Sequence, residues 1–112
     1  VGTWAWGDQL FWGYNAKDDA DLRAAFDVCL NGGVRLYDTA EIYGFGRSEQ
    51  LLGGFARESQ ADVVLATKFA TLPWRLSRGD VVSTCRASQQ RLGSIGLYQI
   101  HFPGFWRNEE FW

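Results

Sequence analysis

The chain has 112 residues, the size of one domain, and at 46% hydrophobic and 21% charged it reads as globular rather than disordered. Its formal net charge is -2 with both signs interleaved, so no basic stripe is present to neutralise a phosphate backbone, and a nucleic-acid partner is not expected. No apolar run approaches the roughly 20 residues needed to span a bilayer, and no membrane partner is expected either.

In chain order, residues 2–6 (GTWAW) form a weak strand candidate, supported only by their spacing from the later segments. Residues 18–30 predict a helix with Leu22, Ala25, Phe26 and Cys29 on one face, opened by aspartates suited to capping and stopped by Gly32 and Gly33. Residues 34–38 (VRLYD) predict a buried strand. Residues 48–58 predict a second helix with Leu51, Leu52, Phe55 and Ala56 inward. A third strand is expected at 63–68 (VVLATK). The third helix, at 77–92, places Ser77 three residues before Asp80 as an acidic capping box and carries Val81, Val82, Cys85, Ser88 and Leu92 at helical spacing. A fourth strand is expected at 97–101 (LYQIH), and residues 109–112 look like the first turn of a further helix.

Strand and helix alternate with a repeat of about 30 residues, which is the pattern of an α/β fold with a parallel sheet. A closed eight-stranded (β/α)8 barrel needs roughly 250 residues. Four strands and three helices are therefore slightly under half of one, a partial barrel. A small doubly wound sheet is the structural rival. Residues 1–112 are expected to be the amino-terminal half of one barrel domain, cut at both ends, because Val1 is not an initiator methionine and directly precedes a dense motif.

Side chains alternate along a strand, so Val34, Leu36 and Asp38 share one parity, Val64, Ala66 and Lys68 another set, and Leu97, Gln99 and His101 a third. Three consecutive strands thus end on an ionisable residue behind mainly apolar ones. Neighbouring strands lie about 4.8 Å apart, which puts Asp38 and Lys68 within reach of an ion pair at the carboxyl end of the sheet, where α/β active sites lie. Tyr43 follows five residues after Asp38, in the loop over the same mouth. Taken singly, each of the four is more often a cap, a solvated charge or a packing residue. Together, at corresponding places on adjacent strands, they form a candidate site. Trp4 and Trp74, near the same mouth, are candidate walls for an apolar pocket. Gly44-Phe45-Gly46 has Glu49 where a dinucleotide fingerprint needs a third glycine, so it reads as a tight turn. Cys29 and Cys85 belong to no CxxC or Cys/His cluster and read as reduced core thiols; no metal-ligand spacing appears.

The stretches Asp38-Thr39-Ala40-Glu41-Ile42-Tyr43-Gly44, Ala66-Thr67-Lys68-Phe69 and Leu97-Tyr98-Gln99-Ile100-His101-Phe102-Pro103 resemble the aldo-keto reductase family. So do the opening Gly2-Thr3-Trp4-Ala5-Trp6 and the helix Gly46-Arg47-Ser48-Glu49-Gln50-Leu51-Leu52-Gly53. The opening is most similar to the branch with plant and cyanobacterial pyridoxal-reductase-like members. The resemblance implies a catalytic tetrad of Asp38, Tyr43, Lys68 and His101, and nicotinamide contacts from Thr3, Trp4, Asp38 and, with a one-residue gap, Gln9. It implies NADPH as cofactor and a small-molecule carbonyl as substrate, reduced to an alcohol. The expected compartment is the cytoplasm, or the chloroplast for a plant or algal source. In the implied mechanism Tyr43 gives the proton, Lys68 favours its release, Asp38 holds Lys68, and His101 bonds the substrate oxygen. The alternatives are a non-catalytic, cofactor-sensing subunit of the same fold, of the kind that associates with channels, and an inert truncated product.

Overall fold

The computed structural model describes residues 1–103. The expected helical turn at 109–112 lies outside the described residues. A 3-10 turn, Ala16–Asp18, leads into α1 (Asp19–Asn31), followed by β1 (Leu36–Asp38), a kinked turn at Tyr43–Gly46, α2 (Arg47–Ser59), β2 (Val64–Phe69), α3 (Arg78–Leu92) and β3 (Leu97–Ile100). The strands form one parallel sheet in the order β1-β2-β3. Leu36 to Asp38 pair with Val64 to Ala66, and Ala66 to Phe69 pair with Leu97 to Ile100. The α/β class is as expected.

The first expected strand is not one. Of residues 2–6 only Gly2 makes a bridge, parallel to Asp38, and the chain then turns. The Thr3 N–H donates to the Asp38 carbonyl at 2.9 Å, and the Trp6 N–H already donates back to the Thr3 carbonyl at 3.0 Å. In a strand Trp4 and Trp6 would share a face. The turn separates them: Trp6 is buried edge-on against Phe55, with centroids 5.9 Å apart, while Trp4 stays half exposed.

Capping also departs from expectation at α1. The Asn15 side chain accepts from the Lys17 N–H, and the Asp18 carboxylate turns back to the Asn15 N–H at 2.9 Å, so Asp18 makes no side-chain cap on α1. α3 starts on the expected capping box: the Ser77 hydroxyl accepts from the Asp80 N–H and Asp80 reaches back to the Ser77 N–H.

The core lies between sheet and helices. Tyr37 and Leu65 from the strands meet Phe26 of α1, Leu51, Leu52 and Phe55 of α2, and Leu92 of α3. Each such large apolar side chain contributes roughly 1.5–3 kcal/mol on burial. α2 turns the four expected residues inward. α1 and α3 do so less completely, since Ala25 and Val82 are exposed and Cys29 and Cys85 are free thiols only partly buried. α2 and α3 approach so closely that a Cβ on Gly53 would stand 2.4 Å from the Arg91 carbonyl oxygen.

The other sheet face is open. Leu36, Val64 and Leu97, which share the parity of Asp38, Lys68 and Gln99, are 51, 45 and 47% exposed. Ala66 on this face is covered, and Val34, expected in the same row, packs against the core instead because it precedes β1 and escapes its alternation.

Candidate active site

The carboxyl ends of all three strands gather the four expected residues. Asp38 is the last residue of β1, Lys68 is the next-to-last of β2, and His101 directly follows β3, its N–H donating to the Phe69 carbonyl at 2.9 Å. The Lys68 ammonium donates to Asp38 Oδ2 at 2.5 Å and to the Thr39 carbonyl at 2.8 Å. The second oxygen of Asp38 accepts from Gln99 Nε2 at 3.3 Å. Lys68 Nζ also lies 5.4 Å from the centre of the Tyr43 ring. Tyr43 and His101 meet edge to face, with centroids 5.6 Å apart and planes at 84°.

Tyr43 opens the kinked turn before α2. Gly44 and Phe45 both sit at φ 54°, so the chain doubles back within two residues. A Cβ on Gly44 would lie 2.3 Å from the Gly7 carbonyl oxygen, so glycine is required there for contact as well as conformation. Phe45 holds the same left-handed conformation with its ring almost wholly in solvent. A non-glycine residue there carries strain of order 1–3 kcal/mol, which the surrounding turn imposes. The Gly44-Phe45-Gly46 segment is thus the tight turn expected of it.

The His101 ring stacks on Phe102 at 4.1 Å, and its Nδ1 is buried with no hydrogen-bond partner among the described residues. Burial holds the imidazole pKa below its ordinary value, and the Lys68 ammonium pushes it further down, against smaller opposing effects of Asp38 and Glu41. His101 is therefore neutral at pH 7, with one ring N–H to donate.

A cleft of 780 Å³ opens beside Tyr43 and His101, walled also by Trp4, Gln9, Phe11 and Phe102 among others; Asp38 and Lys68 are not among its lining residues. The Trp4 ring lies 6.3 Å from Tyr43 and 5.8 Å, edge-on, from Trp12. Trp74, the other candidate wall, is largely exposed and is not part of this cleft. Of the expected nicotinamide contacts, Trp4 and Gln9 line the cleft. Thr3 is fully buried beneath it, where its hydroxyl meets Ser48 Oγ at 2.8 Å and donates to the Asp38 carbonyl at 3.2 Å.

Several supporting residues lie outside the expected set. Glu49 is fully buried on α2, accepting from Thr67 Oγ1 and from Arg91 Nε, both at 2.6 Å. Its place on the inward face with Leu52 and Ala56 is a readable signal, since a buried acid demands partners. Ser48 joins Thr3 and Thr39 in a buried hydroxyl cluster under Asp38. Glu41 forms a forked ion pair with Arg75.

The sequence profile of the aldo/keto reductase family matches residues 1–112. The chain belongs to the aldo-keto reductase family. It is 50% identical to the chloroplastic pyridoxal reductase of Arabidopsis thaliana over 113 aligned residues, covering 90% of this chain and 31% of that protein. A Bacillus subtilis aldo-keto reductase is 37% identical, covering 92% and 33%, and a probable voltage-gated potassium channel β subunit of rice is 33% identical, covering 80% and 30%. Among solved structures, an aldo-keto reductase from Klebsiella pneumoniae in complex with NADPH superposes with a TM-score of 0.79 at 27% identity, over 98% of this chain and 38% of that one. A glycerol dehydrogenase from Gluconobacter oxydans gives 0.79 at 31% identity, over 92% and 35%. This aldo-keto reductase chain spans about a third of the length of these relatives. Its parallel sheet is one part of a (β/α)8 barrel, not a small doubly wound sheet.

Proposed function

We propose that the protein carrying this chain reduces an aldehyde or ketone to the alcohol with NADPH, and that Tyr43 is the proton donor. One observation carries the proposal: a single ammonium, Lys68, is held between the Asp38 carboxylate and the Tyr43 ring, with a neutral His101 facing that ring across the floor of an apolar cleft.

The cleft fits a nicotinamide on two observations. Its aromatic walls suit a flat heteroaromatic ring, and Gln9, whose side-chain amide can pair with a carboxamide, is one of its lining residues. Trp4 and Gln9 would hold the ring, with Asp38 and Thr3 behind them. When bound, the cofactor supplies the hydride that no side chain here can supply. The chain's own residues handle the proton. The Lys68 ammonium, 5.4 Å from the centre of the Tyr43 ring, stands where it can meet the negative charge that develops as the phenol gives up its proton. Asp38 keeps that ammonium turned toward the site, itself steadied by Gln99. A neutral His101 donates to the carbonyl oxygen, sets its angle and stabilises the negative charge that develops there, while the Tyr43 O–H delivers its proton to that oxygen.

The 50% identity to a pyridoxal reductase and the aromatic walls together support a pyridoxal-like aromatic aldehyde as substrate. The test uses the full-length protein with NADPH deuterated at the transferable position, against pyridoxal, a simple benzaldehyde and a short aliphatic ketone. Deuterium should appear on the alcohol carbon, with highest kcat/KM for pyridoxal. Cofactor binding without turnover of any carbonyl would overturn the enzymatic reading in favour of a cofactor-sensing subunit, the alternative favoured by the similarity to channel subunits.

A further inference from the structure

Glu41 lies two residues before Tyr43, and its carboxylate is nearly buried, with 7% of the side chain exposed. It is fully engaged. Oε1 accepts from the Ala70 N–H at 2.7 Å and from Arg75 Nη1, and Oε2 accepts from Arg75 Nη2 at 3.0 Å. Arg75 is held in its turn: Nη1 donates to the Ala70 carbonyl at 2.9 Å and the guanidinium lies 5.2 Å from the centre of the Phe69 ring. Ala70 and Arg75 belong to the loop after β2, the strand that carries Lys68. Glu41 belongs to the loop after β1, the one that carries Tyr43. Thr71, next to Ala70, is also buried and donates its hydroxyl to the Phe102 carbonyl at 3.1 Å, beside His101. The loop after β2 therefore ties the Tyr43 loop on one side and the His101 segment on the other.

We infer that Glu41 and Arg75 are positioning residues that act through Tyr43, fixing its phenol against Lys68. The inference rests on the assignment of Tyr43 as proton donor. The chemistry favours a positioning role over a merely cohesive one. A two-point fork between planar groups restricts rotation as well as distance, which a single charge pair does not. The backbone N–H of Ala70 fixes the carboxylate at a third point. Between Glu41 and Tyr43 stands only Ile42, and the Tyr43 N–H donates to the Ala40 carbonyl at 3.1 Å, so a shift of the carboxylate moves the phenol with it. Displacing a reacting group by about 1 Å costs on the order of 100-fold in rate.

The test uses the full-length protein and compares Glu41→Gln and Arg75→Met with wild type. Each should lower kcat by about tenfold or more and leave NADPH affinity and carbonyl KM within about twofold. The double variant should be no worse than the more impaired single variant, because the two residues act as one fork. Arg75→Lys keeps the charge without the fork and should restore only part of the rate. Independently of turnover, amide hydrogen exchange across residues 40–45 should quicken in both variants while the amides of α1 keep their wild-type rates. Unchanged exchange at residues 40–45 in both variants overturns the inference whether or not the protein proves to be a reductase. So does a kcat that survives, or exchange that quickens evenly over the chain. Wild-type protein without turnover, but with the local exchange response, would instead sink the catalytic assignment and leave the tie itself standing.

Discussion

The Lys68 ammonium is shared by a carboxylate, a backbone carbonyl and the face of a phenol ring. An ion pair this close to solvent adds little to stability, so its value lies in orientation. Tyr43→Phe in the full-length protein should therefore leave folding and NADPH affinity nearly unchanged while the proposed reductase kcat falls on the order of 100-fold or more; near wild-type turnover of an aldehyde by the Phe variant would remove Tyr43 from the proposed role. His101 makes a prediction of its own. Burial and Lys68 lower its folded pKa below 6.5, so between the folded value and 6.5 the unfolded chain binds the extra proton. Its contribution is then complete above 6.5 and is lost as pH falls through the folded pKa. Replacing it with an uncharged isostere, His101→Gln, should flatten the loss of stability on that acid side. Denaturant midpoints measured from pH 7 down to pH 5 would show it, and parallel curves for the two proteins would contradict it. Of the four proposed site positions, Asp38, Lys68 and His101 are legible in the sequence because strand alternation and ladder spacing fix where strand-end side chains stand, and Tyr43 because it follows β1 closely enough to return over the same mouth. Glu41 and Arg75 are not, since their meeting depends on the path of two irregular loops that no periodicity describes.

Among the elements, the α2–α3 contact is set by one missing methyl group. Gly53 meets the Arg91 carbonyl and the Leu92 Cα, whereas Gly54, one residue on, has nothing within 4 Å. The two glycines are neighbours in one helix with opposite surroundings. Gly53→Ala should destabilise by about 1–3 kcal/mol as the helices are forced apart. Gly54→Ala should be neutral or stabilising by up to about 1 kcal/mol, because only the helix propensity changes. Thermal unfolding of both variants checks the pair, and equal effects would deny the close approach. Helix positions are the most readable part of the fold, since apolar spacing and the Ser77–Asp80 box mark them directly. The opening segment departs from its pattern for a physical reason. GTWAW has strand composition, but the chain turns after its single bridge to Asp38, which parts Trp4 from Trp6 and brings Trp6 against Phe55.

For the molecule as a whole, the decisive asymmetry is between its two sheet faces. One is closed by three helices; the other presents Leu36, Val64 and Leu97 half to water. In a complete barrel that face is filled by side chains from the remaining strands. Residues 1–112 expressed by themselves should therefore self-associate, because an apolar face beside open strand edges is a template for pairing. They should also fail to hold NADPH, since phosphate sites in such barrels commonly follow strands seven and eight. Sedimentation velocity and cofactor titration test both statements. A monodisperse monomer with micromolar NADPH affinity would show that the open face is tolerated and the cleft sufficient.

The sheet order β1-β2-β3 follows the order of synthesis, with each strand laid beside the one made just before it. At roughly 5–20 residues per second, the 30 residues separating Asp38 from Lys68 take on the order of 2–6 s to translate. Asp38 and Lys68 can thus meet while the far side of the barrel is still unmade, and Gln99, 61 residues from Asp38, joins them later. The charged floor of the proposed site therefore joins two strands made in succession, and the apolar filling of the barrel face above them comes from strands made later.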